Sequence, residues 1–402
     1  MANMYDYVRW RGDLSFEQSP FNQVDGVIFS QLSYVPMDGI VPGPEEQESV
    51  SHKSISHKSL TIEEIGARYA IQHPRKSKFS YDITISIGEA ILNAIMTTPR
   101  YKDCRLFGFE CHTDPGKEKQ FAAFCAIIDG GQHDKKMLVI FRGTDMSIIG
   151  WKEDLNMSFN NSVPSQEDAV AYLEKMAVRY SDPIIVAGHS KGGNLAVYAA
   201  AFCGEAIQRR IIDVYANDAP GFLKPILECD GYKAIVGRIR SFIPHSSLVG
   251  LLLEHGETPT VVKSAAIGVL QHDLGSWEVM GNKFTKAELT HHSRFIDNVL
   301  KDWLDKLDDS QREEFIESIF KVLSSGNAQT LTDLFFGDLK NVGSMINTIK
   351  NMDGKTKKMM GKVFGDLFKT ARQNIKDKKD ELKANPTDRI TRAGIELLPE
   401  KR

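Results

Sequence analysis

Short apolar runs alternate with amphipathic segments through the middle of the chain. Residues 137–141 (MLVIF) and 184–187 (IIVA) are unbroken apolar runs of the length of buried strands, and residues 211–215 continue the series. Residues 167–180 and 194–202 lie between or after these runs and carry apolar side chains at helical spacing. Strands separated by helices predict right-handed crossovers, so the expected fold class is α/β with a mostly parallel sheet flanked by helices.

The N-terminal third adds further elements to this series. Thr61 and Glu64 form a capping box that predicts a helix through about residue 70, and a second helix is predicted from about residue 86 to residue 96, before Pro99. Residues 107–109 and 121–128 are predicted strands, and an Asp-Gly-Gly turn follows the second one. Residues 36–59 are rich in polar residues, proline and glycine; they predict an exposed loop, with a lid as the alternative.

Composition and charge suggest two parts. The chain of 402 residues is 42% apolar and 26% charged, as expected of a globular protein. We predict an α/β domain over residues 1–305, including the loop at 36–59, and a helical C-terminal extension over residues 306–402. From residue 340 onward 16 lysines and arginines face 8 acidic residues, which makes this tail basic. Its stripe of methionines, phenylalanines and lysines at 357–369 predicts either a helix packed on the body or an amphipathic helix that contacts an anionic membrane or a partner protein.

Several function classes find no support. No apolar run approaches about 18 residues, and no signal peptide is expected. The net charge of -3 gives no reason to expect nucleic acid as a partner. The five cysteines are an odd number and widely spread, which predicts reduced thiols and a cytoplasmic location. Motifs for metal or nucleotide binding are missing from the sequence, so neither a metal nor a cofactor is predicted.

The most informative stretch is Gly188-His189-Ser190-Lys191-Gly192, which follows an apolar strand and precedes a helix of small residues. It satisfies G-x-S-x-G at a strand-to-helix junction, where the motif marks a nucleophilic serine on a tight turn. Only small residues two before and two after the serine leave room for such a turn. We therefore predict that Ser190 is a nucleophile and that the backbone N–H of Lys191 faces the oxyanion; an ordinary glycine-rich turn is the alternative.

A second motif, Phe141-Arg142-Gly143-Thr144-Asp145, follows the MLVIF strand. A glycine-containing loop at the carboxyl end of a strand can aim a backbone N–H at the same place as the serine. We predict that Thr144 supplies this second oxyanion donor. The alternative is an ordinary turn in which Arg142 holds down a loop.

These motifs carry a family resemblance. FRGTD at 141–145, then Trp151 and Asp154, GHSKGG at 188–193 and APG at 219–221 resemble the class 3 (fungal-type) lipases of the α/β-hydrolase superfamily. The chain is more similar still to an uncharacterised, largely bacterial branch of that group that is classed as a domain of unknown function. The resemblance covers about residues 20–300. It implies an α/β-hydrolase fold and a serine hydrolase of lipase or esterase type acting on carboxylic esters; a hydrolase-fold binding or regulatory module is the alternative.

A serine nucleophile needs an adjacent base, and in this fold the chain order is serine, acid, histidine. We predict His272 as the base, because it lies in a QHD sequence where the lipase group carries its histidine. His245 and His255 are the alternatives. His189 is expected to point away from the Ser190 hydroxyl, since neighbouring side chains on such a turn diverge.

The acid departs from the family pattern. Class 3 lipases place an aspartate after the strand that corresponds to residues 239–243, where this chain has Pro-His-Ser-Ser instead. We predict Asp218, which follows the strand at 211–215, because lipases of the pancreatic type carry their acid at the end of that strand. Asp273, Glu254 or a dyad without an acid, helped by Ser246, are the alternatives. An Asx-turn before a proline would also explain Asp218.

Overall fold

The computed structural model describes residues 1–45, 58–74, 83–114, 116, 119–132, 134–144, 153, 157, 162–247 and 249–290, together with residues 318, 347, 348, 350, 351, 354 and 357. The chain divides into two compact units, residues Met1–Ile316 and Glu317–Arg402. Every element below belongs to the first unit. The predicted boundary at residue 305 and, apart from Lys357, the stripe at 357–369 fall outside the described residues and stay predictions.

One sheet organises the first unit, and within the described residues its strands are hydrogen-bonded in simple chain order. The strands are β1 Leu60–Thr61, β2 Arg105–Asp114, β3 Lys119–Asp129, β4 Lys135–Phe141, β5 Ile184–His189, β6 Ile211–Asn217, β7 Ile239–Pro244 and β8 Thr260–Val262, and a separate hairpin joins β9 Val279–Met280 to β10 Lys283–Phe284.

The strands from β4 to β8 run parallel, whereas β1 to β4 pair antiparallel. Only four residues separate β2 from β3 and five separate β3 from β4, and so short a connection can only return the chain antiparallel. The parallel half confirms the predicted α/β fold of the hydrolase type. It also brings the carboxyl ends of β4, β5, β6 and β7 to the same edge of the sheet.

Helices cover both faces of the sheet. They are α1 Met4–Arg11, α2 Gln23–Leu32, α3 Ile62–Gln72, α4 Ile83–Ile95, α5 Pro164–Ala177, α6 Lys191–Phe202, α7 Glu205–Gln208, α8 Lys224–Glu228 and α9 Asp230–Ile235. Apolar side chains of α1 to α4 join the core on one face, and those of α5, α6, α8 and α9 join the core on the other. None of the helices in the described part of the chain is long and apolar enough to cross a membrane.

Strand β4 explains why an apolar run without alternation is a strand here. Leu138 and Ile140 point into the core beneath α1 to α4, while Met137, Val139 and Phe141 point into the opposite core. Because both faces are covered from Met137 to Phe141, every position in that part of the strand is apolar. The same reasoning holds for β5, whose six residues are all buried.

Two predicted helices are confirmed, the first of them with its predicted cap. The Thr61 hydroxyl accepts the Glu64 N–H at 3.2 Å, and Glu64 Oε2 accepts the Thr61 N–H at 2.8 Å, which is the predicted capping box at the start of α3. Helix α4 covers most of the predicted residues 86–96 but begins three residues earlier.

The exposed loop predicted over residues 36–59 is wrong for its first part. Met37, Ile40 and Val41 are buried in the core under α1 to α4, and the Pro42 carbonyl accepts the Phe109 N–H at 3.0 Å. The prolines and glycines correctly predicted that this segment forms neither helix nor strand. The few apolar residues between them determine that it is buried. Residues 46–57 are outside the described part of the chain, so the lid stays a prediction.

Candidate active site

The predicted strand–turn–helix is present around Ser190. Strand β5 ends at His189, helix α6 begins at Lys191, and Ser190 lies between them with φ 58° and ψ -130°. Among the described non-glycine residues only Ser190, Asp218 and Leu253 have a positive φ. Such a conformation costs on the order of 1–3 kcal/mol and persists only where the surroundings impose it.

Close backbone packing imposes this turn. A Cβ atom on Gly188 would lie 2.1 Å from the Gly192 carbonyl oxygen, and one on Gly192 would lie 2.2 Å from the Phe141 carbonyl oxygen. Both contacts are with backbone atoms, which cannot move aside as a flexible side chain can. The glycines two before and two after Ser190 are therefore required by the approach of β5, α6 and the end of β4.

The buried side chain of Asn217 also holds the turn. The backbone carbonyl of Asn217 accepts the Ser190 N–H at 2.9 Å, and its side-chain Nδ2 donates to the Gly188 carbonyl at 3.0 Å and to the Ser30 hydroxyl at 3.2 Å. Sequence reasoning missed this residue, although it directly precedes Asp218 at the end of β6. Two neighbouring residues thus serve different parts of the site.

The loop after β4 packs against the serine. A Cβ atom on Gly143 would lie 3.2 Å from Ser190 Cβ, 2.4 Å from the His189 carbonyl oxygen and 2.3 Å from the Tyr34 hydroxyl. Gly143 thus lies close to Ser190, and Thr144 is the next residue of the loop; its role as an oxyanion donor stays a prediction. Asp145 and Trp151 lie outside the described residues.

Asp218 and His272, predicted as acid and base, are in direct contact. His272 Nδ1 lies 2.7 Å from Asp218 Oδ2. Because a carboxylate only accepts, Nδ1 carries the proton and Nε2 is left as the acceptor. That is the tautomer a general base requires.

The carboxylate of Asp218 is buried, and its second oxygen is also satisfied. Oδ1 accepts the Ser247 hydroxyl at 2.5 Å and the Gly250 N–H at 3.1 Å. Ser247 belongs to the Pro-His-Ser-Ser loop, where class 3 lipases carry their acid. Since β6 and β7 are neighbours, this loop supplies a hydroxyl to an acid that comes from the preceding strand.

The other candidates are engaged elsewhere. The ring of His245 contacts the Ser264 N–H and the Gln271 amide, and His255 Nδ1 lies 3.3 Å from Glu257. Asp273 accepts the Gly275 N–H at 3.0 Å, and the backbone of Glu254 bridges to Phe222. The structure therefore brings together Asp218 and His272 and none of these alternatives.

His189 points away from Ser190, in the predicted direction. Its Nε2 faces the His272 carbonyl oxygen at 2.9 Å and must donate to it; its Nδ1 then accepts the Tyr34 hydroxyl at 2.9 Å. Burial first, and the neighbouring His272 second, hold the pKa of His189 well below its usual 6.5. A neutral ring thus ties the backbone of His272 to the residue before Ser190. Sequence reasoning missed this contact.

Ser190 and the ring of His272 are both described, and no hydrogen bond joins them here. Such bonds often tighten only when substrate is bound.

The Lys191 side chain is buried, and its Nζ donates to Glu153 at 2.8 Å and to the Gln120 carbonyl at 2.7 Å. Lys191 is therefore not a base for Ser190. In the described part of the chain no cluster of three or more metal-binding side chains occurs.

A family model described as Mbeg1-like matches residues 95–321, more than half of the sequence. The chain belongs to the Mbeg1-like family. The match includes Thr144, Ser190, Lys191, Asp218 and His272. Together with the sheet it confirms the resemblance of this Mbeg1-like protein to lipase-like α/β-hydrolases.

Other comparisons are more distant. Among solved structures, this Mbeg1-like protein is similar to M37 lipase, with 13% identity, a TM-score of 0.37 and coverage of 72% of this chain and 83% of that one. The fold assignment rests instead on the strand order and the turn at Ser190. No curated protein matches the chain.

Proposed function

We propose that this Mbeg1-like protein is a serine hydrolase that cleaves carboxylic esters, as lipases and esterases do. The contact of 2.7 Å between His272 Nδ1 and the buried Asp218 is the observation that carries the proposal. An acid that orients a histidine has a purpose when that histidine serves a nucleophile, and Ser190 is held on a strained turn at the same edge of the sheet.

The reaction would proceed in two stages. Ser190 Oγ attacks the ester carbonyl carbon while His272 Nε2 takes the hydroxyl proton, and the protonated ring returns it to the departing alkoxide oxygen. Water then attacks the acyl-enzyme with the same histidine as base, which releases the acid and restores the serine. Asp218 stabilises the imidazolium in both stages.

Backbone donors would hold the oxyanion. The N–H of Lys191 at the start of α6 supports this role, because it donates no hydrogen bond within the described residues and lies at the positive end of the helix. Thr144 is proposed as the second donor, because Gly143 packs directly on Ser190. The loss of one such donor costs about 3–4 kcal/mol of transition-state stabilisation.

A fluorophosphonate probe tests the proposal. We expect wild-type protein to be labelled at Ser190 and to hydrolyse p-nitrophenyl esters, and Ser190→Ala to lose both. The exposed Ser181, away from the turn, offers the matched control Ser181→Ala, which should be labelled like wild type. Folded wild-type protein that takes no label would instead favour a non-catalytic binding module.

The substrate within the ester class is open to a direct measurement. Protein from a preparation that reacts with the fluorophosphonate should be assayed, without the label, on p-nitrophenyl esters of increasing acyl length. Matched thioesters and peptide amides should be assayed alongside. Turnover confined to thioesters or amides would contradict the carboxylic-ester assignment while leaving the serine nucleophile in place.

We also propose a cytoplasmic location. All five cysteines are unpaired, which supports a reducing compartment. Fractionation of cells that express the tagged chain tests this, and recovery of the protein outside the cytoplasm would contradict it.

A further inference from the structure

A buried ion pair lies directly beside the nucleophile turn. Lys191 and Glu153 are each only 1% exposed, and Lys191 Nζ lies 2.8 Å from Glu153 Oε2. The reaction proposed above uses the backbone N–H of Lys191 but neither of these charges. Their presence needs a separate explanation.

Neutral partners complete the pair on every side. Lys191 Nζ also donates to the Gln120 carbonyl at 2.7 Å. Glu153 Oε2 accepts the Gln120 N–H at 3.1 Å, and Oε1 accepts the Ser165 N–H at 3.0 Å. The cluster thereby connects strand β3, the first turn of α5 and the first residue of α6.

The pair also links the two segments that supply the proposed oxyanion donors. Lys191 provides one donor from its own backbone. Glu153 lies in the connection between β4 and α5, nine residues after Thr144. The ion pair therefore holds the residue that supplies one donor, and its acid comes from the same connection as the other donor.

Stability alone is a weak reason for such a pair. Removing two charges from water is costly, and well-packed apolar side chains of the same size often serve folding equally well or better. Oxyanion donors, in contrast, act only if they are fixed before the reaction, because reorganisation during the reaction removes their advantage. A misplacement of about 1 Å costs on the order of 10²-fold in rate.

We propose that the Lys191–Glu153 pair is a positioning device for the oxyanion hole, an inference that rests on the serine hydrolase function proposed above. The pair touches neither substrate nor reacting atoms; it acts through the backbone N–H of Lys191, which it holds in place. Its removal should therefore slow turnover with little effect on substrate binding.

The informative variant is the double change Lys191→Met with Glu153→Gln, because it leaves no buried charge unpaired. Asp168→Asn is the matched control: Asp168 pairs with Lys119 at 2.7 Å, which joins the same helix α5 to the same strand β3 without touching α6. Active sites are titrated with the fluorophosphonate, kcat and KM are measured per titrated site, and inhibition by an arylboronic acid reports on the oxyanion hole.

For the double variant we expect kcat per titrated site to fall about 10²-fold, with KM within about threefold of wild type and boronate inhibition weakened in parallel with kcat. Asp168→Asn should keep the wild-type kcat. A merely structural pair would lower the melting temperature and the titrated fraction but not kcat per titrated site.

A double variant whose kcat per titrated site stays within about threefold of wild type overturns the proposal. If that variant fails to fold, Glu153→Asp, which keeps both charges but shortens the side chain that reaches Lys191, is judged by the same criterion. Wild-type protein that takes no fluorophosphonate overturns the hydrolase function itself and this role with it. Labelled wild type with unchanged variants overturns only the positioning role.

Discussion

The turn that carries Ser190 and the loops that carry Asp218 and His272 meet at one edge of the sheet, but they are held by different forces. Backbone-to-backbone packing of Gly188 and Gly192 holds the turn, and this packing involves a short stretch of chain. Side-chain hydrogen bonds hold the loops, and these bonds join residues far apart in the sequence.

This difference determines how each region should fail. A side chain added to the turn meets backbone atoms, so the strands must move and folding suffers. An altered side chain in the loops removes a charge or a donor while the packing stays, so chemistry suffers and the fold survives. The following predictions probe this contrast, beginning with the largest expected effect.

Asp218→Asn should lower kcat by about 10⁴-fold while the protein stays folded. Ser247 and Gly250 both donate to Oδ1, so the amide oxygen takes that position and the amide nitrogen faces His272 Nδ1. The ring must then carry its proton on Nε2 and cannot accept one from Ser190. Turnover of p-nitrophenyl esters and thermal melting measure the two effects.

Ser247→Ala is the graded comparison for that variant, because it removes one donor and keeps the carboxylate against His272. We expect about a tenfold loss of kcat, the size of one hydrogen bond to a charged group. Asp218→Asn activity within about tenfold of wild type would show that Asp218 is not the acid.

Gly192→Ala should destabilise the protein by about 3 kcal/mol, because its Cβ meets the Phe141 carbonyl oxygen at 2.2 Å and the Gly143 nitrogen at 2.8 Å. Urea unfolding measures the change. Gly237→Ala is the matched control, since a Cβ there has no neighbour within 4 Å; it should change stability by less than about 0.5 kcal/mol. Equal stabilities of the two variants would contradict the steric account of the turn.

His189 should make the folded protein less stable as the pH falls. Its pKa is lowered in the folded protein, so below pH 6.5 the unfolded chain binds the extra proton and gains relative to the folded one. Its contribution is complete above pH 6.5 and falls by up to about 1.4 kcal/mol per pH unit below it.

Urea unfolding at pH 7, 6 and 5 measures that slope. His189→Asn should flatten it relative to wild type, whatever its absolute stability. The exposed His73 provides the control variant His73→Asn, which should keep the wild-type slope. A slope that His189→Asn leaves unchanged would show that the ring is already protonated in the folded protein.

Much of the fold could be predicted from the sequence because its signals are local. The buried strands β4 and β5 are continuous apolar runs, and the capping box of Thr61 and Glu64 marks the start of α3. Residues 36–45 were mispredicted because burial there depends on what packs against Met37 and Ile40, which no short window contains.

In the candidate site, too, features that depend on nearby residues could be predicted and contacts between distant residues could not. The glycines around Ser190 announce a tight turn, since each acts within a few residues of its neighbours. Tyr34, Ser247 and Asn217 were missed because a single polar residue carries no periodicity, and its role depends on a partner brought close by folding. Lys191 was noticed for its backbone alone, while its buried partner Glu153 comes from a different connection.

The amino-acid sequence by itself determined the alternation of strands and helices, the turn at Ser190 and a short set of candidate acids and bases. It could do so because steric fit and apolar periodicity act over neighbouring positions. Only the tertiary structure showed that Asp218 and His272 are in contact and that Glu153 pairs with Lys191. Parallel strands bring their carboxyl ends to one edge whatever their separation in sequence, and charge pairing is decided there by distance in space.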